Sequence, residues 1–497
     1  MKTAPFVMAG LIAGQLCACA GGQAGTETAA SVERVGQAAQ PGTLSALDSA
    51  LIGRILLAED RRDSTDAALA EGSRHADVRV RLLAQRARGR IRDPRFAARD
   101  SLPVGHAPVA WPEPAWRIRY RALNAQRGDC AALRTALADS AWPVRLRATD
   151  LVTEQCASDD ALSSVLRQWI DALPADATRR SRGGISWHAA AHGIVALARV
   201  RPDEARARVR RLAAHQQWQV RAYTARAAAV LADTATLRTL ARDANDNVKE
   251  IAIESLAKLT GHADDALYLA ALGADGAQAV RAAAIALKGS SRGDVAAAAN
   301  DAFARWVARA NASERDVRIA LLEAAGRPAT DDRPPPVRVE LPRQAVALAL
   351  GADIRLRVTM APSSGGGGSF LVRLRGDVAP MMAARILALA RAGYYDGLSW
   401  HRVEHDFVIQ GGSPGENEYV GLAQYLRDEL GTVPHVRGTV GMSTRGHDTG
   451  DAQWFVNLKD NLRLNRDYTV FAEVTDGIEV VDGILEGDVM ASVTVER

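Results

Sequence analysis

The chain has 497 residues, too many for one hydrophobic core, so we expect two or three domains. Its hydrophobic fraction of 47% and its charged fraction of 24% are ordinary for a soluble globular protein. The net charge is +4, and the basic residues are scattered among alanines without a groove-reading motif, so we predict no nucleic-acid partner.

The first 18 residues have the features of an export signal. Lys2 supplies a positive charge, and the apolar run at 6–16 is too short to span a bilayer. The residues Leu-Cys-Ala-Cys that end at Cys19 resemble a bacterial lipobox, which would make Cys19 the lipidated first residue of the mature protein. The alternative is a plain secretory signal cleaved near Ala20 or Ala24. Either signal predicts an exported protein.

Lipidation at Cys19 would anchor the protein to a membrane, facing the periplasm. Ala20 after this cysteine favours the outer membrane if the host has two membranes. No later segment has 18 uninterrupted apolar residues, so we expect no transmembrane helix. Residues 19–43 are small and polar, which predicts a flexible tether.

Two further cysteines, Cys130 and Cys156, are 26 positions apart. In an exported protein a disulfide between them is favoured, and closing such a loop would contribute about 3 kcal/mol. The alternative is two buried thiols at helix-packing positions.

Residues 44–328 carry apolar residues at spacings of three and four, which predicts α-helices. Within this region a short motif recurs, in which Val-Arg or a close variant opens an apolar helix. The instances are Asp77-Val78-Arg79, Pro143-Val144-Arg145, Gln219-Val220-Arg221, Asn247-Val248-Lys249, Ala279-Val280-Arg281 and Asp316-Val317-Arg318. The last four recur with an irregular period of about 30 to 40 residues.

This period resembles that of HEAT-type helical repeats, in which the valine packs inward and the basic residue lies near the inner, exposed edge. The resemblance implies an all-α solenoid over 44–328 whose concave side binds a client or another protein partner. An inert spacer is the alternative. His188 and His192 are four apart on a predicted helix, but no carboxylate or third histidine is near in sequence, so we predict no metal site.

Residues 329–344 contain three consecutive prolines and predict a stiff linker. Beyond them the hydrophobic period changes to that of strands, at 353–358 and 370–374, and a helix is expected over 381–392. Short strands, Gly-rich turns and two helices favour a closed antiparallel β-barrel over 345–497.

Four sequence blocks follow one another in this C-terminal part. They are WHRVEHDFVIQGG at 400–412, RGTVGM at 437–442, QWFV at 453–456 and YTVF at 468–471. They hold an arginine, a glutamine and large apolar residues, with no nucleophile–base pair. In content and order they resemble the cyclophilin family of peptidyl-prolyl isomerases. The resemblance implies the cyclophilin fold, isomerase activity without a cofactor, and Pro-containing polypeptides as substrates.

The resemblance also implies roles for single residues. Arg402 matches the catalytic arginine, and Gln410 matches the glutamine that orients it and bonds the substrate backbone. The positions that match substrate-binding residues are Phe407, Met442, Thr444, Gln453, Phe455, Leu464 and Tyr468.

The sequence departs from the family at the pocket rim and near the polar network. Arg463 stands where many members have tryptophan, Asp451-Ala452 replaces Gly-Ser, and Trp454 replaces phenylalanine. These departures leave the arginine and the pocket in place, and they leave the turnover rate and the peptide preference open.

Together these features predict a multidomain exported lipoprotein, with a HEAT-like α-solenoid followed by a cyclophilin-like barrel. The predicted function is a peptidyl-prolyl cis-trans isomerase that assists the folding of exported proteins, with the helical array binding clients or a partner. The alternative is a scaffold lipoprotein whose cyclophilin-like domain binds Pro-containing peptides without significant turnover.

Overall fold

The structure, a computed structural model, describes residues 44–93, 107–174, 187–332, 340–361 and 367–496. The predicted signal peptide, the lipidation site Cys19 and the whole predicted tether lie outside the described residues, as does the centre of the predicted linker. In the ranges that are described, no helix combines the length and the apolar character needed to cross a bilayer. The folded unit is Ala46–Arg497.

The first part of the chain is helical. Its helices up to residue 171 are Ala46–Arg61 (α1), Ala67–Ser73 (α2), Val78–Arg92 (α3), Ala115–Ala122 (α4), Cys130–Ala136 (α5), Trp142–Asp150 (α6) and Asp160–Asp171 (α7). The next are Trp187–Val200 (α8), Pro202–Leu212 (α9), Trp218–Val230 (α10), Thr234–Leu240 (α11), Asp246–Thr260 (α12), Asp265–Ala271 (α13), Ala277–Leu287 (α14), Val295–Ala308 (α15) and Arg315–Ala324 (α16). Short 3-10 segments lie at Leu123–Gln126, Glu154–Ser158, Gly261–Asp264, Ala312–Glu314 and Ala329–Asp331. We call α1 to α16 the helical array.

Local sequence fixes where many of these helices begin. Several start after an aspartate whose carboxylate accepts a hydrogen bond from an amide in the first turn, which contributes about 1 kcal/mol per helix. These N-cap residues are Asp66, Asp77, Asp129, Asp159 and Asp233.

The Val-Arg motif lies at the start of helices that pack side by side. Helices α6, α8, α10, α12, α14 and α16 each pack against the next in that row. The motif valines at 144, 220, 248, 280 and 317 are buried in its core. The first instance is wrong, because Val78 is 54% exposed and the buried residue is Val80, two positions later. The helix phase therefore places the motif of α3 at Val80-Arg81.

Two arginines that follow the buried valine are bonded to loops of the array. Arg221 donates to the carbonyls of His215 and Gln216 and pairs with Asp243 in the loop before α12. Arg81 likewise donates to the two carbonyls that precede Asp77, at 75 and 76. These bonds fix the loops before α10 and α12 and the loop before α3.

Cys130 and Cys156 are joined by a disulfide with an S–S distance of 2.04 Å. The bond links the first residue of α5 to the 3-10 segment before α7. Cys156 is fully buried in the core of the array.

The C-terminal domain, residues 345–496, combines one sheet with short helices. Its helices are Ala345–Ala349 (α17), Pro380–Arg391 (α18) and Ile478–Gly483 (α19), with a 3-10 segment at Leu462–Leu464. Its strands are Arg355–Met360 (β1), Ser369–Leu374 (β2), Arg402–Val403 (β3), Val408–Gly411 (β4), Thr439–Met442 (β5), Trp454–Asn457 (β6), Val470–Asp476 (β7) and Met490–Val495 (β8). The strands expected at 353–358 and 370–374 and the helix at 381–392 lie within two residues of these bounds.

The strands form a curled antiparallel sheet in the order β3-β4-β6-β5-β7-β2-β1-β8. The expectation of a closed barrel is corrected, because β3 and β8 are the two ends of this order and the described strands show no ladder between them. Next to these ends, backbone hydrogen bonds join residues 397–400 to residues 487–490, with an isolated bridge between Ser399 and Val489. Since β3 has only two residues, it cannot provide the length that a closing ladder needs.

The array and the C-terminal domain are packed together by buried arginines. Arg90 of α3 is 1% exposed. Its Nε donates to Leu430 O at 2.8 Å, its Nη2 donates to Val378 O at 2.8 Å, and its Nη1 pairs with Glu59 Oε1 at 2.6 Å. A guanidinium out of water needs such partners for every donor, so these bonds require the two parts to stay docked.

A second buried arginine does the same from α4. Arg117 is fully buried and donates to His405 O at 2.9 Å, to Leu458 O at 2.6 Å and to Asp482 Oδ1 at 2.9 Å. Asp482 is also held by Arg437 of the domain. The array surface that carries Arg90 and Arg117 is thus covered by the C-terminal domain, and a client could bind only to other surfaces of the array.

Candidate active site

The β3–β4 hairpin places an arginine and a glutamine side by side. Arg402 is opposite Gln410 in the register, and Gln410 is opposite Phe455 of β6. Side chains directly opposite each other share one face of a sheet. The three residues therefore project toward the same side, as their positions in the sequence blocks implied.

A polar chain runs inward from the arginine. Arg402 Nη1 lies 3.4 Å from Gln410 Oε1, and Gln410 Nε2 donates to Gln453 Oε1 at 3.2 Å. Gln453 Nε2 in turn donates to Val420 O at 3.1 Å. Gln410 and Gln453 are buried, whereas the Arg402 side chain is 39% exposed. The amides thus orient a guanidinium that is part-exposed at the pocket mouth.

Beside the arginine lies a small apolar floor. Val408, Phe455 and Leu464 form a buried cluster against which Phe407 and Tyr468 pack. The Tyr468 ring meets the Phe455 ring edge-on, with centroids 5.8 Å apart. These rings provide a surface suited to the compact, apolar ring of proline.

A glycine makes room for this floor. A Cβ at Gly441 of β5 would lie 2.3 Å from Cζ of Phe455, a distance at which the ring would have to move. Gly441 is opposite Phe455 in the register. The glycine of the RGTVGM block is therefore needed to place the phenylalanine of the QWFV block.

The floor and the polar residues enclose a pocket of about 260 Å³. Of the predicted site residues, the pocket is lined by Arg402, Gln410, Phe407, Thr444, Phe455, Leu464 and Tyr468. Two others lie behind this lining: Met442 is fully buried in β5, and Gln453 contacts Gln410 from below. The structure therefore brings the predicted residues together, while their roles stay predictions.

The pocket has further lining residues that the sequence did not reveal. They are Val408, Glu418, Ser443 and Arg445. Glu418 Oε1 lies 3.3 Å from Arg402 Nη1. Glu418 belongs to an irregular segment between β4 and β5 that has no periodicity to place its side chain, so no sequence signal could have found it.

The family departures have specific positions. Arg463 lies with its guanidinium 4.4 Å from the centroid of the Phe407 ring, so the pocket rim carries a cation. Asp451 is buried, which raises the pKa of its carboxyl group, and it accepts the amides of Gln453 and Leu422 at 3.1 and 3.2 Å. Trp454 packs beneath the site, away from the pocket.

The histidine pair of α8 does not share a ligand. His188 Nε2 lies 2.6 Å from the carbonyl of Glu486, and His192 Nδ1 lies 2.7 Å from Asp150 Oδ1. Within the described ranges no group of three His, Cys, Asp or Glu side chains could hold a metal ion. His188 instead joins α8 to the C-terminal domain, and His192 joins α8 to α6 within the array.

This arrangement suits the rotation of an X–Pro amide, whose barrier is about 18–20 kcal/mol. As the amide twists, its nitrogen becomes pyramidal and gains a lone pair. A fixed guanidinium beside the pocket stabilises that twisted form more than either planar form, which is what accelerates a reaction. An acceleration of about 10⁵-fold needs only about 7 kcal/mol.

The histidines next to the site are expected to leave the reaction rate independent of pH. Burial lowers the pKa of His401, beside Arg402, to about 3, and burial lowers the pKa of His435, stacked on Phe455, to about 4. Both rings are then neutral above about pH 5 and protonate only in stronger acid. We expect kcat/KM to be flat between pH 5 and 8. A step near pH 6.5, lost in His401→Gln, would contradict this.

Comparisons with known proteins match the same region. A family model, cyclophilin type peptidyl-prolyl cis-trans isomerase, matches residues 357–496. Peptidyl-prolyl cis-trans isomerase B of Bacillus subtilis (strain 168) is 38% identical over 122 residues, covering 24% of this chain and 85% of that protein. A peptidyl-prolyl cis-trans isomerase of Helicobacter pylori is 37% identical over 119 residues, covering 23% of this chain and 73% of that protein.

One solved structure is that of a Cryptosporidium parvum cyclophilin type isomerase in the presence of the dipeptide Ala-Pro. It is 20% identical, has a TM-score of 0.27, and covers 29% of this chain and 99% of that chain.

The curled antiparallel sheet, with an arginine beside an apolar pocket, defines a protein of the prolyl isomerase class. The chain belongs to the cyclophilin family, and the region 357–496 is its peptidyl-prolyl cis-trans isomerase domain.

Proposed function

We propose that this isomerase assists the folding of exported proteins by acting on X–Pro bonds in client polypeptides. The observation that carries the proposal is the guanidinium of Arg402, held by Gln410 beside the floor of Phe455, Leu464 and Tyr468. Neither a nucleophile nor a cofactor is needed for this reaction, since no covalent bond is made or broken.

Export is supported by the disulfide between Cys130 and Cys156, since such bonds persist in oxidising compartments. We propose that the mature chain begins at a lipidated Cys19 and faces the periplasm from the outer membrane. The experiment is metabolic labelling with a radioactive fatty acid, followed by membrane fractionation. Label and membrane association are expected in the wild type and absent in Cys19→Ser. A wild-type chain that stays unlabelled and soluble would contradict the anchor.

We also propose that the array is a HEAT-like solenoid that binds clients or a partner on the surface the isomerase domain leaves uncovered. Exposed apolar residues support this surface. Val230, Leu259 and Ile285 are each more than 40% exposed and lie near the ends of α10, α12 and α14, successive helices of the row. Apolar side chains that recur on neighbouring helices are suited to binding unfolded chains.

The test of the isomerase and of the array is one refolding experiment with two substrates. The first is a short Pro-containing peptide, and the second is a reduced protein whose refolding is limited by prolyl isomerisation. The full mature chain should accelerate both reactions. The double variant Leu259→Glu, Ile285→Glu should accelerate the protein's refolding less than the wild type does and should keep the wild-type acceleration of the peptide. If the double variant accelerates both substrates as much as the wild type does, this surface of the array does not bind clients.

A scaffold that binds Pro-containing segments without significant turnover is the second candidate. The contact between Glu418 and Arg402 favours the scaffold function. A carboxylate next to the guanidinium partly neutralises its charge and so weakens its stabilisation of the twisted amide. Peptide binding without acceleration of its isomerisation would select the scaffold.

A further inference from the structure

The segment between β4 and β5 carries an acidic residue to the mouth of the pocket. Glu418 is the acidic residue among the described pocket-lining side chains, which otherwise include Arg402, Arg445 and Arg463. Its Oε1 lies 3.3 Å from Arg402 Nη1, and the two side chains are 45% and 39% exposed. Both can therefore meet a bound peptide.

The backbone of Glu418 is fixed from the domain side. Gln453 Nε2 donates to Glu418 O at 3.2 Å, and Arg445 Nη1 also donates to this carbonyl. Gln453 is the residue that holds Gln410, which in turn contacts Arg402. The same short polar network thus positions both members of the Arg402–Glu418 pair.

The array holds the segment from the other side. Trp218 Nε1 of α10 donates to Glu416 Oε2 at 2.7 Å. Asn247 of α12 donates through Nδ2 to Gly415 O at 3.1 Å and accepts from Asn417 Nδ2 at 3.2 Å. Three consecutive residues just before Glu418 are therefore bonded to two helices of the row.

Two further helices reach the residue that follows. The Tyr419 ring has the guanidinium of Arg281, from α14, 4.3 Å from its centroid, and that of Arg445 at 5.6 Å. Arg445 is itself paired with Asp316 of α16 and donates to Ser313 O at 2.7 Å. Helices α10, α12, α14 and α16 thus all contribute to the placement of Glu418.

The other charges around the pocket determine the electrostatic effect of Glu418. Arg445 is compensated by Asp316, whereas the guanidinium of Arg463 lies over the Phe407 ring on another part of the rim. Without Glu418, the uncompensated guanidinium of Arg402 would attract any acidic side chain beside the proline, and that ion pair would compete with the prolyl amide. A carboxylate already in place repels such a side chain and keeps the guanidinium oriented.

We propose that Glu418 is a positioning and specificity residue of the isomerase, held beside Arg402 by the helical array, that selects against acidic residues next to the isomerised proline. This inference rests on the isomerase function. Through the loop that contains Gly415 to Tyr419, the array takes part in substrate selection. This role is separate from the proposed binding of clients on the array surface.

The test compares peptides that differ only before proline: Glu-Pro, Ala-Pro and Lys-Pro. In the full chain, Glu418→Gln should lower the ratio of kcat/KM for Lys-Pro over Glu-Pro by about two- to fivefold, the range of one exposed ion pair. The wild-type ratio should fall as NaCl rises, because salt screens exposed charges, and the variant ratio should change less. Glu418→Asp should restore part of the preference.

The part of the array is tested with Trp218→Phe, which removes the Nε1 donor to Glu416 and keeps an aromatic ring. Trp169→Phe is the matched control, since Trp169 is also half-buried in the array but packs against Trp142. Trp218→Phe should shift the Lys-Pro to Glu-Pro ratio toward that of Glu418→Gln, and Trp169→Phe should leave it unchanged.

The outcomes separate three conclusions. If Glu418→Gln is active with an unchanged ratio and unchanged salt dependence, the specificity role is overturned. If Glu418→Gln shifts the ratio but Trp218→Phe matches Trp169→Phe, the array has no part in it. If the wild type accelerates none of the peptides, the isomerase function itself fails, which is a different result from either.

Discussion

Arg402→Ala is expected to lower kcat/KM for an Ala-Pro peptide by about 10² to 10³, the usual cost of removing one donor that stabilises transition-state charge. The guanidinium is the cationic donor that lies next to Gln410 on the pocket wall. The apolar floor does not depend on it, so the affinity for the peptide should change much less than kcat. Relaxation of a cis-enriched peptide, followed at several concentrations, separates the two constants.

The matched control is Arg391→Ala, which removes an exposed arginine at the end of α18 and should have no effect on the rate. Arg402→Lys keeps the charge and loses the planar fork, so an intermediate rate is expected. Wild-type activity in Arg402→Ala would contradict the assignment and would favour the scaffold function.

Arg90→Ala is expected to lower the free energy of unfolding by about 3–5 kcal/mol, the range for breaking a buried ion pair by removal of one partner. It would leave the carbonyls of Leu430 and Val378 without the guanidinium, and it would leave Glu59 with one arginine fewer. Burial raises the pKa of Glu429 to about 7, and Arg90 opposes that shift. The loss should therefore be larger at pH 8, where this carboxylate must ionise, than at pH 5.

Denaturant unfolding of the full chain measures this effect. The matched control is Arg88→Ala on the same helix, because Arg88 is exposed and its loss should stay within about 0.5 kcal/mol. If Arg90→Ala and Arg88→Ala unfold at the same denaturant concentration, the arginine does not stabilise the docking of the array on the domain.

Much of the fold follows from local sequence. The positions of β1, β2 and α18 match the expected strands and helix to within two residues, because burial alternates along these strands and the helix is apolar apart from Arg385 and Arg391. The boundaries of the predicted domains stay predictions, as do the solenoid class and the lipoprotein anchor. The Val-Arg motif was misplaced in α3. Asp77 is the N-cap of this helix, so Val78 is its first residue and is exposed, and Val80 is the first valine that faces the core.

The core of the site was also predictable, whereas its surroundings were not. Arg402, Gln410 and Phe455 were predicted because they stand in ordered sequence blocks, and the strand register then brings them to one face. Glu418 was missed, although it is near Arg402 in sequence, because an irregular segment has no period that orients its side chains.

The sequence by itself determined the helical and strand character of the two parts, and it determined the arginine beside an apolar pocket that defines the isomerase. Only the tertiary structure decided that the sheet stays open, that Arg90 and Arg117 dock the array on the domain, and that Trp218 holds the segment carrying Glu418. The physical reason is that periodicity encodes which face of an element is buried. Which partner covers that face depends on the packing of surfaces that are distant along the chain.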